Sequence, residues 1–120
     1  MTDSYNQNDI NLSGAFFEKQ RVIEGADAAS DVLISDSHAL VTVDTTVVHT
    51  VTLPPASEFP RGFSVYYLTP NAGAVANVNF DRTAPDTINR KAANFILAAD
   101  DDWVLLVSDG VSNWSALIGA

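Results

Sequence analysis

The stretch Val47-Val48-His49-Thr50-Val51-Thr52-Leu53-Pro54-Pro55 decides the class of fold. Every second residue from position 47 to position 53 is apolar or histidine, and threonine fills two of the three positions between. This period of two is typical of a β-strand that buries one side. The two prolines end the strand, because proline has no backbone N–H to offer to a sheet.

The same pattern recurs along the chain on both sides of this stretch. Strands are predicted at residues 32–35, 39–43, 47–53, 63–69, 75–80, 95–97, 103–108 and 114–118. Short strands at this spacing predict an all-β fold. We expect a small antiparallel β-sandwich of the jelly-roll type over residues 31–120. Residues 89–99 are rich in alanine and also contain leucine, so a helix there is the alternative to a strand.

Several predicted strands carry large apolar side chains on both sides. In the strand at 103–108, for example, Trp103 and Leu105 alternate with Val104 and Leu106. A lone domain of this size has little material to cover both sides of its sheets. The pattern therefore predicts self-association, with central placement of these strands as the alternative.

Residues 1–30 differ from the rest and predict an extended N-terminal arm. The first eleven residues are polar and show no periodicity. Four apolar residues then appear in polar surroundings, and these are the candidate docking residues: Phe16, Phe17, Val22 and Ile23. Such an arm docks on a neighbouring subunit or a larger assembly. The alternative is a strand or turn that folds back on its own domain.

The charge balance excludes some classes of partner. The 120 residues include 6 Lys and Arg against 15 Asp and Glu, which gives a formal net charge of −9. We therefore expect no nucleic-acid partner and no anionic membrane surface, since both would repel the chain. The chain has no cysteine, so we expect neither disulfides nor a thiolate site.

The residues that could carry catalysis are few. His49 lies on the apolar side of its predicted strand and is interpreted as a core histidine. Ser37 and His38 are neighbours in a turn, where adjacency alone does not make a catalytic triad. The aspartates at 100–102 lack the spacing of a calcium-binding loop and are interpreted as a solvated turn. We therefore predict a protein that is not an enzyme and that has no catalytic residue, metal site or cofactor.

Four aromatic residues support one further alternative, a carbohydrate-binding module. Tyr66 and Tyr67 are adjacent, so one of them points away from the local core. Trp103 and Trp114 lie on the last two predicted strands. Exposed aromatic rings can bind sugars, although packing in a core or an interface is their more common role.

A series of short motifs occurs in a fixed order over residues 41–119. They are Thr52-Leu53-Pro54-Pro55-Ala56, Pro60-Arg61-Gly62-Phe63, Gly73-Ala74-Val75, Asp86-Thr87-Ile88-Asn89, Trp103-Val104-Leu105-Leu106-Val107-Ser108-Asp109-Gly110 and Asn113-Trp114. This order resembles a small β-module of tailed-bacteriophage structural proteins, found in head decoration (cement) proteins, head fibres and parts of tail fibres. The N-terminal residues lie outside the resemblance.

The resemblance implies a virion structural protein, often a homotrimer, with no catalytic residues. We expect a capsid decoration protein that binds the major capsid protein on the outer surface of the head and stabilises the shell. Phe16, Phe17, Val22 and Ile23 would then contribute to docking on the capsid or to packing between subunits. The alternatives are a short head or tail fibre, a receptor-binding component of the virion, and the carbohydrate-binding module.

Overall fold

The strands of this protein form two sheets. The computed structural model describes residues 17–73 and 77–119, so Phe16 and the rest of the first sixteen residues lie outside it. Ten strands are present in these ranges: β1 Lys19–Gly25, β2 Ala29–Asp31, β3 Ala39–Thr45, β4 His49–Leu53, β5 Ser64–Thr69, β6 Val78–Arg82, β7 Thr87–Ile88, β8 Phe95–Leu97, β9 Asp102–Ser108 and β10 Asn113–Gly119. The fold is all-β.

The first six strands alternate between the two sheets. β1, β3 and β5 pair in parallel in one sheet, and β2, β4 and β6 pair in parallel in the other. Each pass of the chain through both sheets therefore stacks on the previous pass, as in a solenoid. The expected antiparallel jelly roll is wrong for this half of the chain. The alternation of apolar and polar residues predicts a half-buried strand. It does not predict whether the adjacent strand in the sheet runs parallel or antiparallel to it.

The last four strands close the third turn of this solenoid. β8 pairs antiparallel with β6, and β9 pairs antiparallel with β5. β10 pairs antiparallel with β9, and the short β7 pairs in parallel with β10. The result is a six-stranded sheet in the order β1-β3-β5-β9-β10-β7 and a four-stranded sheet in the order β2-β4-β6-β8.

The core lies between the two sheets and contains several large aromatic side chains. Trp114 on β10 is fully buried, and its ring packs against Phe59 and Phe63 at centroid distances of 5.1 and 6.1 Å. Its indole N–H donates a hydrogen bond to the carbonyl of Pro54, 3.0 Å away. The prolines that end β4 thus position a tryptophan sixty residues later in the chain.

Two segments differ from their sequence-based assignments. The strand predicted at 32–35 is replaced by a 3₁₀ turn at Ile34–Asp36. Residues 89–99 contain only the three-residue strand β8, and no α-helix is found in the described part of the chain. A helix at 89–99 would need one continuous apolar stripe, whereas here Phe95 and Leu97 face the core and Ile96 between them is exposed.

The sheets also include residues that the sequence assigned to the arm. β1 pairs with β3 along its whole length, and Ile23 belongs to the buried core. β2 pairs with β4 at Ala29–Asp31. The described part of this segment therefore corresponds to the alternative of a strand folded back on its own domain. The alternation of buried Ile23 with exposed Val22 is the local sign of this strand.

A buried ion pair joins β1 to the link between β2 and β3. Asp36 is 3% exposed and accepts hydrogen bonds from Arg21 Nε at 3.1 Å and Arg21 Nη2 at 2.8 Å. The same carboxylate accepts the backbone N–H of Leu33 at 2.9 Å. Burial, and then the charge of Asp36, raise the pKa of the nearby Tyr67 phenol far above its ordinary value. Tyr67 therefore stays neutral at every ordinary pH.

Removal of this carboxylate is expected to destabilise the fold. Asp36→Ala leaves the guanidinium of Arg21 and the N–H of Leu33 without their acceptor, so the free energy of unfolding should fall by about 2–3 kcal/mol. Urea denaturation measures this change. Asp44→Ala is the matched control, since Asp44 is exposed on β3. Equal decreases in the free energy of unfolding for the two variants would show that the ion pair of Arg21 and Asp36 does not stabilise the fold.

The turn between β9 and β10 is organised by one carboxylate, as the Asp109-Gly110 sequence suggests. Asp109 Oδ1 accepts three backbone N–H groups, from Val111 at 2.8 Å, Ser112 at 2.9 Å and Asn113 at 3.0 Å. Gly110 has a φ of 76°, in the left-handed region that glycine favours. The N–H groups of Asn113 and Val111, and then that of Ser112, lower the pKa of Asp109 below its ordinary 3.8.

The lowered pKa predicts an acid-dependent contribution of Asp109 to stability. A carboxyl whose pKa is lower in the folded state stabilises the fold when ionised, and this contribution disappears as the pH falls below 3.8 through the folded value. Asp109→Ala should therefore lower the Tm at pH 7, and the difference from wild type should shrink in strong acid. Thermal melts across this range measure it, with the exposed Glu24→Ala as control. A Tm difference independent of pH would contradict the prediction.

Candidate functional site

The buried histidine has a structural role. His49 is fully buried on β4, with Nδ1 2.8 Å from the carbonyl oxygen of Asp27 and Nε2 2.8 Å from the hydroxyl of Ser30. The carbonyl can only accept, so Nδ1 donates the hydrogen bond to Asp27. Both partners belong to the first turn of the solenoid, and His49 joins the second turn to it. The interpretation of His49 as a core histidine is confirmed.

The neighbouring Ser37 and His38 do not form the relay of a catalytic triad. Ser37 Oγ lies 3.3 Å from His38 Nδ1, and Glu18 Oε1 lies 4.0 Å from the same nitrogen. In a triad the serine and the carboxylate contact opposite nitrogens of the imidazole, so that one nitrogen takes a proton while the other is held. Here both approach one nitrogen of an exposed ring, which gives no path for a proton.

The aspartates at 100–102 stabilise turns. Asp100 Oδ1 accepts the backbone N–H of Gly73 at 2.9 Å, and Asp102 Oδ2 accepts that of Ala99 at 3.0 Å. Asp101 between them has a φ of 65°. Among residues 17–73 and 77–119, no group of three or more His, Cys, Asp or Glu is placed to hold a metal ion.

The six-stranded sheet has an apolar outer face, the side turned away from the four-stranded sheet. Strand register brings its side chains into two rows across the strands. The first row runs Leu40, Tyr66, Leu105 and Leu117, and the second runs Thr42, Leu68, Trp103 and Gly119. We call these eight residues the apolar face. It contains no charged side chain.

Three aromatic rings stack along this face. Phe17 meets Tyr66 edge-on at a centroid distance of 5.3 Å. Tyr66 in turn stacks on Trp103 at 5.2 Å, with 14° between the ring planes. Trp103 lies directly over Gly119, where an added Cβ would be 2.0 Å from the ring. The glycine near the C-terminus is therefore the residue that gives the indole room to lie flat.

A shallow groove runs beside these rings. It has a volume of about 600 Å³ and is lined mainly by apolar side chains of the face, with Phe17 and His38 at one end. When one face of a sheet points to water, the side chains on that face are normally polar. Exposed apolar surface of this kind makes the outer face of the six-stranded sheet the candidate site for contact with another protein.

The outer face of the four-stranded sheet is polar by contrast. Thr50, Thr52, Asn79 and Asp81 point outward from β4 and β6, and Asn79 Nδ2 lies 3.4 Å from Thr50 Oγ1. Ile96 on β8 is the large apolar residue on this side, at 52% exposure. The four-stranded sheet therefore has a polar outer face, whereas the outer face of the six-stranded sheet is apolar except at its β1–β3 margin, where Glu24 and Asp44 are exposed.

The structure separates the predicted docking residues. Phe17 lies against Tyr66 of the apolar face, and Val22 is 55% exposed on the outward side of β1 next to that face. Ile23 is 5% exposed in the core, which leaves it unable to contact a partner. Phe16 lies outside the described residues. The docking role of Phe17 and Val22 stays a prediction.

The sequence showed only that several strands carry apolar side chains on both sides. It did not show which of these side chains form the apolar face. Tyr66 and Trp103 belong to this face, whereas Tyr67 and Trp114 are fully buried and cannot bind a sugar. No sequence signal distinguished the outward side of each strand from the inward side. The special position of Gly119 depends on pairing with Trp103 across two strands and had no local signal.

Comparison with known proteins identifies no family for this chain. No protein-family model matches it, and a search of the curated proteins finds no relative. Within residues 17–73 and 77–119, no helix has the length and apolar character that crossing a membrane requires.

The contact between Trp103 and Gly119 can be tested by adding a methyl group at position 119. Gly119→Ala forces the indole off the sheet, because its ring occupies the space of the new Cβ. We expect loss of the Tyr66–Trp103 stack, a changed tryptophan emission spectrum and a loss of about 1 kcal/mol in stability. Ser115→Ala on the same strand is the control, since Ser115 is exposed. Identical spectra for the two variants would contradict the packing described here.

Proposed function

We propose that this chain is a structural protein of a virion, a decoration protein that binds the outer surface of a bacteriophage head and stabilises the major capsid shell. The observation that carries the proposal is the difference between the two outer sheet faces. In this proposal the side with the apolar face is turned toward the shell. The polar side is turned toward solvent.

The charge distribution supports this orientation. The two rows of the apolar face are uncharged, and the outward acidic residues of the same sheet, Glu24 and Asp44, lie beyond them on β1 and β3. Asp31 and Asp81 point outward on the opposite sheet. An acidic chain on the outside of a capsid is separated from the packaged nucleic acid, which would repel it. The particular assembly, a phage head, rests on the motif order in residues 41–119.

The proposal includes self-association, as a trimer by the resemblance. Val22 lies at one margin of the six-stranded sheet, and Leu117 and Ile118 lie on β10 near the other margin. Each of these three side chains is more than half exposed. Contact between copies at these margins would bury apolar area that water otherwise covers.

In this proposal the protein acts by binding to the capsid and catalyses no reaction. Within the described chain, the buried His49 and the carboxylates of Asp100 and Asp102 have structural partners, and Ser37 contacts the imidazole of His38. A short fibre or receptor-binding component is the alternative that the same fold would serve. A carbohydrate-binding module is favoured only by the stacked pair Tyr66 and Trp103, which is partly exposed.

A binding experiment with two matched variants tests the proposal. Leu117→Glu places a charge on the apolar face, and Ile96→Glu places one on the polar face at nearly equal exposure, 55% against 52%. Both variants should fold. Purified undecorated capsids should bind wild type and Ile96→Glu in hundreds of copies per particle and lose Leu117→Glu, because a buried unpaired charge opposes docking.

The copy number and the capsid melting temperature are the measurements. Bound protein should raise the temperature at which the shell opens, since it binds only the intact form. A few copies per particle would favour the fibre alternative. Equal binding of the two variants would contradict the assigned side, and no binding to any capsid would remove the decoration proposal.

A further inference from the structure

Strand β10 has a neighbouring strand along only part of one side. Within the described residues, β7 pairs with Asn113 and Trp114 at the start of β10, and the register ends there. We call the side of β10 that is turned toward β7 the β10 edge. Alternate residues of a strand present their backbone N–H and C=O groups to the same neighbour, so Ala116 and Ile118 follow Trp114 along this edge. An open edge of this kind can accept a strand from another chain.

The side chain of Asn89 continues the pairing where β7 stops. The backbone N–H of Asn89 donates to the carbonyl of Trp114 at 2.8 Å, as in a parallel ladder. The N–H of Ala116 then donates to Asn89 Oδ1 at 2.8 Å, and Asn89 Nδ2 donates to the carbonyl of Ala116 at 3.1 Å. A longer β7 would make two such bonds with Ala116 through its backbone. The amide of Asn89 therefore takes the place of a peptide group at the β10 edge.

A tight turn at residues 88–91 positions this amide. Ile88 and Lys91 exchange two backbone hydrogen bonds, at 3.0 and 2.9 Å, so the chain reverses directly after β7. Asn89 and Arg90 have φ angles of 52° and 63° in this turn, a conformation in which asparagine is enriched. The N–H of Arg90 donates to Asn113 Oδ1 at 2.8 Å. The backbone thus leaves β10 at this turn, while the Asn89 side chain reaches back to it.

The strand that would add to the β10 edge is β1 of a second copy. β1 is the outer strand at the opposite margin of the same sheet, and its described neighbour is β3. Both strands are seven residues long, and Val22 on β1 and Ile118 on β10 are more than half exposed. Pairing of β10 with β1 of the next copy uses two different surfaces. It would therefore repeat from copy to copy and build a ring or a filament.

We propose that Asn89 limits the self-association of this protein. Its amide occupies both backbone groups of Ala116, so an incoming strand would have to break two hydrogen bonds before it could pair with β10. Contact between copies through the side chains of Leu117 and Ile118 is still open, because both are exposed. Asn89 thus permits association of fixed size and opposes open-ended addition of strands. This inference concerns the free protein, and it stands or falls separately from binding to a capsid.

Removal of the amide tests the proposal on the full chain. Asn89→Gly keeps the φ of 52° without strain and leaves the Ala116 groups open. By light scattering, wild type should keep one mass over a wide range of protein concentration, whereas the variant should form assemblies of several wild-type units that grow with concentration. Asn94→Ala is the matched control, since Asn94 Oδ1 also accepts a backbone N–H, that of Arg82 at 2.9 Å. It should keep the wild-type mass.

A second substitution distinguishes strand pairing from aggregation of unfolded protein. Ile118→Lys places a charge on the β10 edge, where lysine opposes the addition of a strand. Combined with Asn89→Gly, it should restore the wild-type mass. The proposal is overturned if Asn89→Gly keeps the wild-type mass, if Asn94→Ala associates to the same extent, or if the lysine has no effect. Capsids are absent from this experiment, so its failure says nothing against the proposed function.

Hydrogen exchange of the wild-type protein keeps the proposal testable if Asn89→Gly folds poorly. The Ala116 amide is bonded to Asn89 Oδ1, whereas Ile118 lies one step beyond the reach of this side chain along the same edge. The Ala116 amide should therefore exchange at least about tenfold more slowly than that of Ile118. Equal exchange of the two amides would show that Asn89 does not close the β10 edge and would overturn the proposal.

Discussion

The short links between strands are the constraint on which the rest of this structure depends. Only three residues separate β1 from β2, and three separate β3 from β4. A parallel strand in the same sheet needs a crossover of a dozen or more residues, so neither link can return the chain to its own sheet. Each link instead passes to the opposite sheet. Parallel pairing between successive turns and a core between two sheets both follow from this passage.

Polar groups at the corners hold these turns in register. The Thr46 N–H and hydroxyl both donate to the carbonyl of Gly25, one turn earlier. His49 bonds to the corner at Asp27, and Arg21 pairs with Asp36 in the next link. A buried polar group stabilises a fold only when it is paired, so a slip of one turn against the next would leave several of these groups without partners.

The closing strands give the molecule its two different sides. β9 and β10 extend the six-stranded sheet beyond the solenoid and add Trp103, Leu105 and Leu117 to its outer face. The four-stranded sheet gains only β8, so its outer face keeps the threonines of β4 and the acidic residues Asp31 on β2 and Asp81 on β6. A protein built in this way has a side suited to contact and a side suited to water, which is the physical basis of the proposed role.

The sequence by itself determined most of the strands from β3 onward and their half-buried character, because a period of two is local and survives in any sheet; it missed β1, β2 and β7. It also determined the core place of His49, the final hairpin at Asp109 and the presence of two apolar sides. Only the tertiary structure decided the parallel solenoid, the outward side of each strand, and the inclusion of Ile23 in the core. Neighbour direction and facing depend on contacts between residues far apart in the chain. A local sequence pattern therefore does not predict the contact of Trp103 with Gly119 or the hydrogen bond of Trp114 with Pro54.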